Sequence, residues 1–578
     1  MAEQLSPSIK TTRQKSGSPT IAGVATGTGG FIGEAQKGPA NLPQLITSMV
    51  QFKTVFGNPI SGSSLYASVD GFFKNGGARC YVSRVIHYSS LTTPTTTAAR
   101  SAKTFNDSIA AASVKVEAIN EGAWGDELSI TTLKEDTLIT TIVAGVPAAA
   151  LLSFLAVDAS LLTPGDLLKI DDGVGTPVFC VVQSISGNTV TVVTGTTATI
   201  QAANTKLYLA TFSLTTLDKD GRVLQKNTGL RMSELSLRGY FTSKVNVDGS
   251  VIRVTDLSGA GDVNDDRPAN STAGLLAGNN GGTVVDADVI GNAANFLGLN
   301  SFDKVDDVKL LSAPGWTAAL TQLAGSQYCG ARGDIYWVSS GPAGMSPAAA
   351  KTYKTVTANL AKQETGFYYP LIKIIDPITG VLIAFTPDGH IQGAIARTDK
   401  NRGVGKVAAG IEDGLLVGAL GVEYEVGQGE YDVLYPVGIN CILPKKNAGI
   451  CIFGSRNTYL GGDYPQQNQI RSVQYVESSL FEGSAWVNFE NSGPELWARI
   501  RRSFISFLRS ARRDKVLKGP TDAEAFYVIC DLSNNPPSQQ NAGKVKARVG
   551  LAVQTPGEFF EIEIERDTRA LDAELAGG

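Results

Sequence analysis

The chain has 578 residues, 43% hydrophobic and 18% charged, with 50 Lys and Arg against 54 Asp and Glu. That length exceeds a single hydrophobic core, so several domains are expected. The near balance, a net charge of -4, speaks against a dedicated nucleic-acid binder, which carries a clear basic excess. It also leaves little self-repulsion to oppose close packing of many copies.

Cys80, Cys180, Cys329, Cys441, Cys451 and Cys530 are scattered and form no C-x-x-C pair. They read as reduced, buried thiols of a protein folded in a cytoplasm. The beginning, MAEQLSPSIKTTRQKSGSP, is polar and lacks the apolar run of a signal peptide. The most apolar stretch, Ile142 to Ala156, is interrupted by Gly145 and Pro147. It falls short of the ~20 residues a membrane helix needs. A soluble protein without an export signal or membrane insertion is expected.

Residues 1–25 hold few large apolar side chains and read as an extended arm. From Phe31 the pattern turns globular. FIGEAQKGPANLPQLITS opens as a strand, turns at Gly-Pro and ends in Thr47-Ser48, a helix cap. Leu65, Val69, Phe72 and Phe73 share one face of a helix that stops at Asn75-Gly76-Gly77. CYVSRVI follows as a strand. TTPTTTAA, from Thr92, reads as a linker.

Between about 101 and 265, Thr, Val, Ser and Gly dominate. DLLKIDDG, PVFCVVQSISGNTVTVVTG and KLYLATFSLTTLDKDGRVL predict short strands with tight turns, hence small β domains, sandwich or barrel. From about 290, VDDVKLLSAPG, DIYWVSS and FYYPLIKIID alternate with helical stretches and predict a parallel α/β sheet. PELWARIRRSFISFLRSARRD is the clearest helix. Ser492 can cap it, Pro494 suits its first turn, and Trp497, Ile500, Phe504, Phe507, Leu508 and Ala511 form one apolar stripe. Arg499, Arg502, Arg509 and Arg513 cluster opposite, either as a solvated face or as a positive stripe for an acidic partner. No aromatic residue interleaves on that face, which weakens a single-stranded nucleic-acid reading. Near the end, EFFEIEIER alternates: Phe560, Ile562 and Ile564 on one face, Glu561, Glu563 and Glu565 on the other.

Residues for chemistry are sparse. The two histidines, His87 and His390, lie far from any nucleophile motif, and His390 sits in the turn-rich TPDGHIQG. GTGGFIG is neither a dinucleotide fingerprint nor a P-loop. DVNDDRPANSTA starts like a calcium loop but has Arg267 where the glycine belongs and Ala273 where the closing Glu belongs, so it reads as a surface loop. No catalytic, cofactor or metal residues are assigned.

The run FIGEAQKGPANLPQLITS, F..VFG, FFKNGGARCYVSRV resembles the N-terminal part of contractile tail sheath proteins of bacteriophages and contractile injection systems. NEGAWGDELSI is similar to their Gly-Ala-Trp-Gly segment, and DDVKLLSAPG, FYYPLI and PDGHIQGAIARTDKNRGVGKVAAG to their central domain. GINCILPKKNAGICIFGSRNT, WVNFENSGPELWARIRRSFISFL and AFYVICDLSNNP resemble their C-terminal domain. The stretch 131–220 matches nothing in the family. The resemblance implies a structural subunit and not an enzyme, with no cofactor. Such subunits stack as hexameric rings into a helical sheath around an inner tube, between baseplate and tail terminator proteins, without direct nucleic-acid contact. The sheath contracts to drive the tube through a target envelope. The location implied is a virion tail or a cytoplasmically assembled injection particle. A fibre or adhesin is the alternative.

The resemblance also implies that chain ends exchange strands between subunits. Phe560, Ile562 and Ile564 would serve at the C-terminal side, Ile21 and Val24 at the N-terminal side. The alternative for Phe560 to Ile564 is closure of the chain's own sheet. Arg499, Arg502, Arg509 and Arg513 would face the tube. The expected fold is multidomain α+β, an α/β core with inserted outer β domains and extended arms. Its divisions are an N-terminal arm, 1–25; a first part of the core, 26–90; inserted β domains, 91–265; a central α/β domain, 266–436; a C-terminal inner domain, 437–556; and a C-terminal arm, 557–578.

Overall fold

Gly29–Gly33, Tyr336–Ser340 and Thr365–Tyr369 are buried along their whole length. Strands without polar alternation suit a parallel sheet covered on both faces. The computed structural model, which describes residues 21–143, 153–173, 176–193, 205–234, 239–258, 265–559 and 561–562, places them in such a sheet. Its eight strands run in the order Gln44–Ile46, Cys80–Arg84, Gly29–Gly33, Leu310–Ser312, Tyr336–Ser340, Thr365–Tyr369, Ile439–Lys445, Gly449–Phe453. The six inner strands are parallel and the two edge strands antiparallel. FYYPLIKIID does not continue as one strand. Pro370 has no N–H for the ladder, and Ile372–Ile375 joins a separate antiparallel sheet with Leu382–Phe385 and Gly421–Val422.

Alternate residues of the central strands feed different cores. Tyr336 and Val338 pack with Ala67, Ile391, Ala394 and Ile395 on one face. Trp337 packs with Ile32, Leu311 and Cys329 on the other. Ser48 caps Met49–Phe56 through its Oγ, which accepts from the Gln51 N–H. Leu65–Lys74 ends at Asn75, as its pattern predicts. PDGHIQG is not a turn but the start of a buried helix, Asp388–Arg402. Its glycines serve packing: a Cβ at Gly389 would strike the Ser68 carbonyl, and one at Gly393 would crowd the Phe72 backbone. Two helices meet there almost backbone to backbone, which only glycine permits.

The inserted region builds a β module in two parts. Ser129–Thr141 and Lys206–Leu217 pair along their length and run through both. At one end, Ala102–Asn106, Ala112–Ala118 and Ile252–Asp256 form a three-stranded sheet whose Val114, Val116 and Val254 pack against Ile130, Phe212 and Leu214. At the other end, Lys206–Leu217, Leu167–Asp171, Val178–Ser186, Thr189–Val192 and Ser153–Leu155 follow in order. Ser153–Leu155 returns to the end of Ser129–Thr141: Val143 N–H donates to Leu155 O at 2.8 Å and Val157 N–H to Thr141 O at 3.0 Å. The result is a closed six-stranded barrel filled by Phe154, Leu168, Ile170, Val182, Val190 and Leu207.

The supposed surface loop around Arg267 is anchored instead. Arg267 is 1% exposed and donates to Asp265, Asp136 and the Thr211 carbonyl. Burial is tolerated because its charge meets two carboxylates.

The C-terminal unit comprises Gln467–Gly483, Pro494–Arg513 and a two-stranded antiparallel sheet, Phe526–Ile529 with Arg548–Leu551. Gly493, and not Ser492, caps the second helix: its extended backbone presents the carbonyl that accepts from Trp497 N–H. Trp497, Ile500, Phe504, Phe507, Leu508 and Ala511 are all buried, as the stripe predicts.

Candidate assembly surfaces

The described chain begins at Ile21, and its first residues run along the helix Gln467–Gly483. Ile21 is half-buried among Leu480, Val528 and Val549 and lies so close to Gly483 that a Cβ there would meet its side chain. Val24 N–H donates to Ser479 Oγ at 3.1 Å. The Arg471 guanidinium donates to the Thr26 carbonyl at 2.9 Å. Of the residues assigned to arm strands, Ile21 and Val24 therefore touch the C-terminal unit of their own chain.

The other end is held as firmly. Glu558 accepts from Arg456 Nη2 at 2.7 Å, Tyr435 Oη at 2.7 Å and Gln466 Nε2 at 2.7 Å. Arg456 in turn stacks 4.1 Å over the Tyr435 ring. Burial alone would raise the Glu558 pKa, but these three donors hold it below the usual range for glutamate. Asn468 Nδ2 donates to the Gln554 carbonyl just upstream. Beyond this clamp, Phe559 and Ile562 are exposed. Phe560 and Ile564 lie outside the described residues.

The arginines of Pro494–Arg513 divide into two kinds. Arg499 lies 4.6 Å over the Trp486 ring and 3.7 Å from Glu490. Arg509 binds Asp522 at 2.5 Å, with Arg512 also on that carboxylate. Arg502 and Arg513 are exposed and have no ion-pair partner among the described residues. The four do not form one uniform free stripe: Arg502 and Arg513 are available for an acidic partner, and Arg499 and Arg509 are already engaged.

Of the scarce chemical groups, His390 and the cysteines are enclosed and His87 is half-buried. His390 is 3% exposed, and burial, with Lys74 opposing Asp70, brings its pKa down to about 4. His87 binds Asp288 at 2.8 Å, a structural contact to the cap of a short helix. All six cysteines are free and buried, and burial pushes the Cys180 and Cys441 thiols up to about 12. Thiols held that far above neutrality are poor nucleophiles.

The anchors at Arg471, Arg456 and Glu558 escaped sequence reasoning. Arg471 and its carboxylate Asp399 lie 72 positions apart, Arg456 and Glu558 102. Glu558 opens the alternating EFFEIEIER, but nothing local marks it as an anchor.

No protein-family model and no curated protein matches the chain. Solved structures do. The sheath of an extracellular contractile injection system, PVC, in its contracted state matches at 15% identity and TM-score 0.53, over 99% of this chain and 100% of that one. The contracted helical sheath of the anti-feeding prophage matches at 14% and 0.52, over 98% and 100%. The sheath tail protein of Listeria innocua matches at 10% and 0.53, over 89% and 90%. Over most of its length, the chain has the fold of the contractile sheath proteins.

Proposed function

We propose that the chain is the structural subunit of a contractile sheath. It polymerises as stacked hexameric rings around an inner tube and contracts to drive that tube through a target envelope. The observation that carries this reading is the likeness in fold across almost the whole of this chain and the whole of the PVC sheath chain. Baseplate and terminator proteins would bound the polymer at its two ends.

The anchored chain ends suit this role. Interactions at Arg471 and Glu558 fix where each arm leaves the body. Past the Glu558 clamp, Phe560, Ile562 and Ile564 would form a strand donated to a neighbour. Strand addition draws affinity from main-chain hydrogen bonds, while alternate apolar residues fix register. The two-stranded sheet Phe526–Ile529 and Arg548–Leu551 is the natural acceptor, because an isolated pair of strands is marginal in water and gains from added strands. Ile21 and Val24 would secure the root of the N-terminal arm. Arg502 and Arg513 would meet an acidic tube through individually weak contacts, about 0–1 kcal/mol each, which lets the tube slide free.

Electron microscopy of the chain expressed alone tests the proposal. Hollow cylinders are expected, and deletion of residues 557–578 should abolish them. Monodisperse particles from the full chain at high concentration, with the tube protein also present, would overturn it.

A further inference from the structure

The segment Lys544–Leu551 alternates. Lys544, Lys546 and Arg548 are exposed, while Val545, Ala547 and Val549 pack against the cluster of Trp497 and Ile500. None of the three bases has an ion-pair partner among the described residues. Asp531, near Lys546 through the Asn534 side chain, already accepts from Ser533 N–H and Oγ and faces Arg501.

The strand also has an open edge. Among the described residues its sheet holds one other strand, Phe526–Ile529. On that strand's side, Lys546 N–H donates to Asn535 Oδ1 and Ala552 N–H to the Ala525 carbonyl. Successive N–H groups of an extended strand point to opposite sides, so those of Ala547 and Val549 face away from Phe526–Ile529. Val549, Gly550 and Leu551 are only half-buried.

EFFEIEIER matches this strand in chemistry and in spacing. Glu561, Glu563 and Glu565 recur at every second position, as Lys544, Lys546 and Arg548 do, with Ile562 and Ile564 between them and Phe560 before. Laid alongside in either direction, three acids meet three bases on one face and apolar side chains meet on the other. Opposite charges across a strand pair favour the pairing, and the alternation fixes its register. The other edge of the sheet offers no such match: Phe526–Ile529 is bounded by Glu524 and Asp531, and positions 519–543 hold no Lys or Arg.

Within its own chain the segment is led elsewhere. Gln554 and Glu558 are held at the start of the helix Gln467–Gly483 by Asn468 and Gln466. Val545 and Val549 lie in one cluster with Leu480, near the other end of that helix. Glu561 and Ile562 are exposed and pair with no strand.

We propose that Phe560–Glu565 of a second copy docks on the open edge of Lys544–Leu551, and that Lys544, Lys546 and Arg548 select it by its acidic face. This rests on the sheath reading above and names the edge and the side chains by which the donated strand is chosen.

Pelleting of polymers of the full chain, expressed without tube, tests it. A donor variant carries Glu561→Lys, Glu563→Lys and Glu565→Lys, and an acceptor variant Lys544→Glu, Lys546→Glu and Arg548→Glu. Each alone should pellet about tenfold less than the wild type, or worse. Unchanged melting temperatures are expected, since the bases are exposed; a drop in the acceptor variant leaves the donor variant to decide. Mixed in equal amounts, the two variants should pellet together again, because each edge then meets a strand of opposite charge on the other chain. Wild-type pelleting by the donor variant overturns the contact, as does a mixture that stays soluble. Polymers restored only when all six changes share one chain would mean that the strand closes its own sheet. Each of these results leaves the sheath reading standing. A wild-type chain that never polymerises fails that reading and this inference together.

Discussion

Arg471 grips Asp399 with two hydrogen bonds, 2.9 and 2.6 Å, and the two side chains are only 5% and 4% exposed. The pair joins the helices Asp388–Arg402 and Gln467–Gly483, and the same guanidinium holds the Thr26 carbonyl. Central sheet, C-terminal unit and the first described residues of the chain thus converge on one side chain. Removing one partner leaves the other charge buried and uncompensated. Arg471→Met should destabilise the chain by about 3–5 kcal/mol, and Arg471→Met with Asp399→Leu should recover most of it. Calorimetric melting of the wild type and the two variants checks this.

Asp388 and His390 stand two residues apart at the start of the same buried helix and titrate in opposite directions. Burial raises the Asp388 carboxyl to about 7, against the influence of the Ser340 and Thr386 hydroxyls. The unfolded chain loses that proton near its ordinary 3.8, so stability present at lower pH drains away as pH rises toward 7. Burial lowers His390 to about 4 from 6.5. Its contribution is complete above 6.5 and is lost as pH falls toward 4. Asp388→Asn should therefore gain on the wild type between pH 4.5 and pH 8, by up to about 4 kcal/mol. His390→Gln should flatten the acid limb. Melting temperature against pH for both variants decides, and parallel curves would contradict these shifts.

The Glu558 clamp fixes the chain at a defined point just before Phe559. Glu558→Ala should free the following residues and cost about 1.5–3 kcal/mol per charged hydrogen bond lost, less whatever water restores. Limited proteolysis should show earlier cleavage after residue 554 with the body intact. Because the carboxylate is held below its usual range, its contribution is present above the ordinary glutamate pKa and falls away in acid. In the wild type the segment after residue 554 should likewise become more susceptible as pH drops.

Charge reversal at the long helix should distinguish engaged from available arginines. Arg502→Glu with Arg513→Glu should impair assembly on the tube while leaving the melting temperature unchanged, since neither side chain has an internal partner among the described residues. Arg509→Glu should lower the melting temperature slightly, through loss of the Asp522 pair at an exposed site. Tube co-sedimentation and melting, measured on both variants, separate the two effects.

Local patterns carried much of this architecture. The stripe from Trp497 to Ala511, the Ser48 cap and the stop at Asn75 follow from spacing over a few residues. Valine- and threonine-rich strands separated by Gly and Asp announced the β module. What stayed hidden was pairing across distance. Glycines at 389 and 393 resemble turn formers unless a second helix is known to press against them. Arg267 looks like loop decoration until Asp136, over a hundred positions earlier, is brought beside it. Pro370 was visible, but where the chain turned after it was not. The free arginines could be told from the engaged ones only when Asp522 and Trp486 were in place.

The barrel in the inserted region has a further consequence. Its strands spend their hydrogen-bonding edges on one another, with Val143 and Val157 making the last stitch to Leu155 and Thr141. Its entry strand and exit strand lie side by side, paired from Ser129 with Leu217 to Thr141 with Lys206. A module sealed in this way, hung from two adjacent threads, is mechanically and topologically separable. It can be enlarged, trimmed or exchanged at that paired stem without rerouting the chain of the eight-stranded sheet, so its surface is open to variation that the sheet need not register.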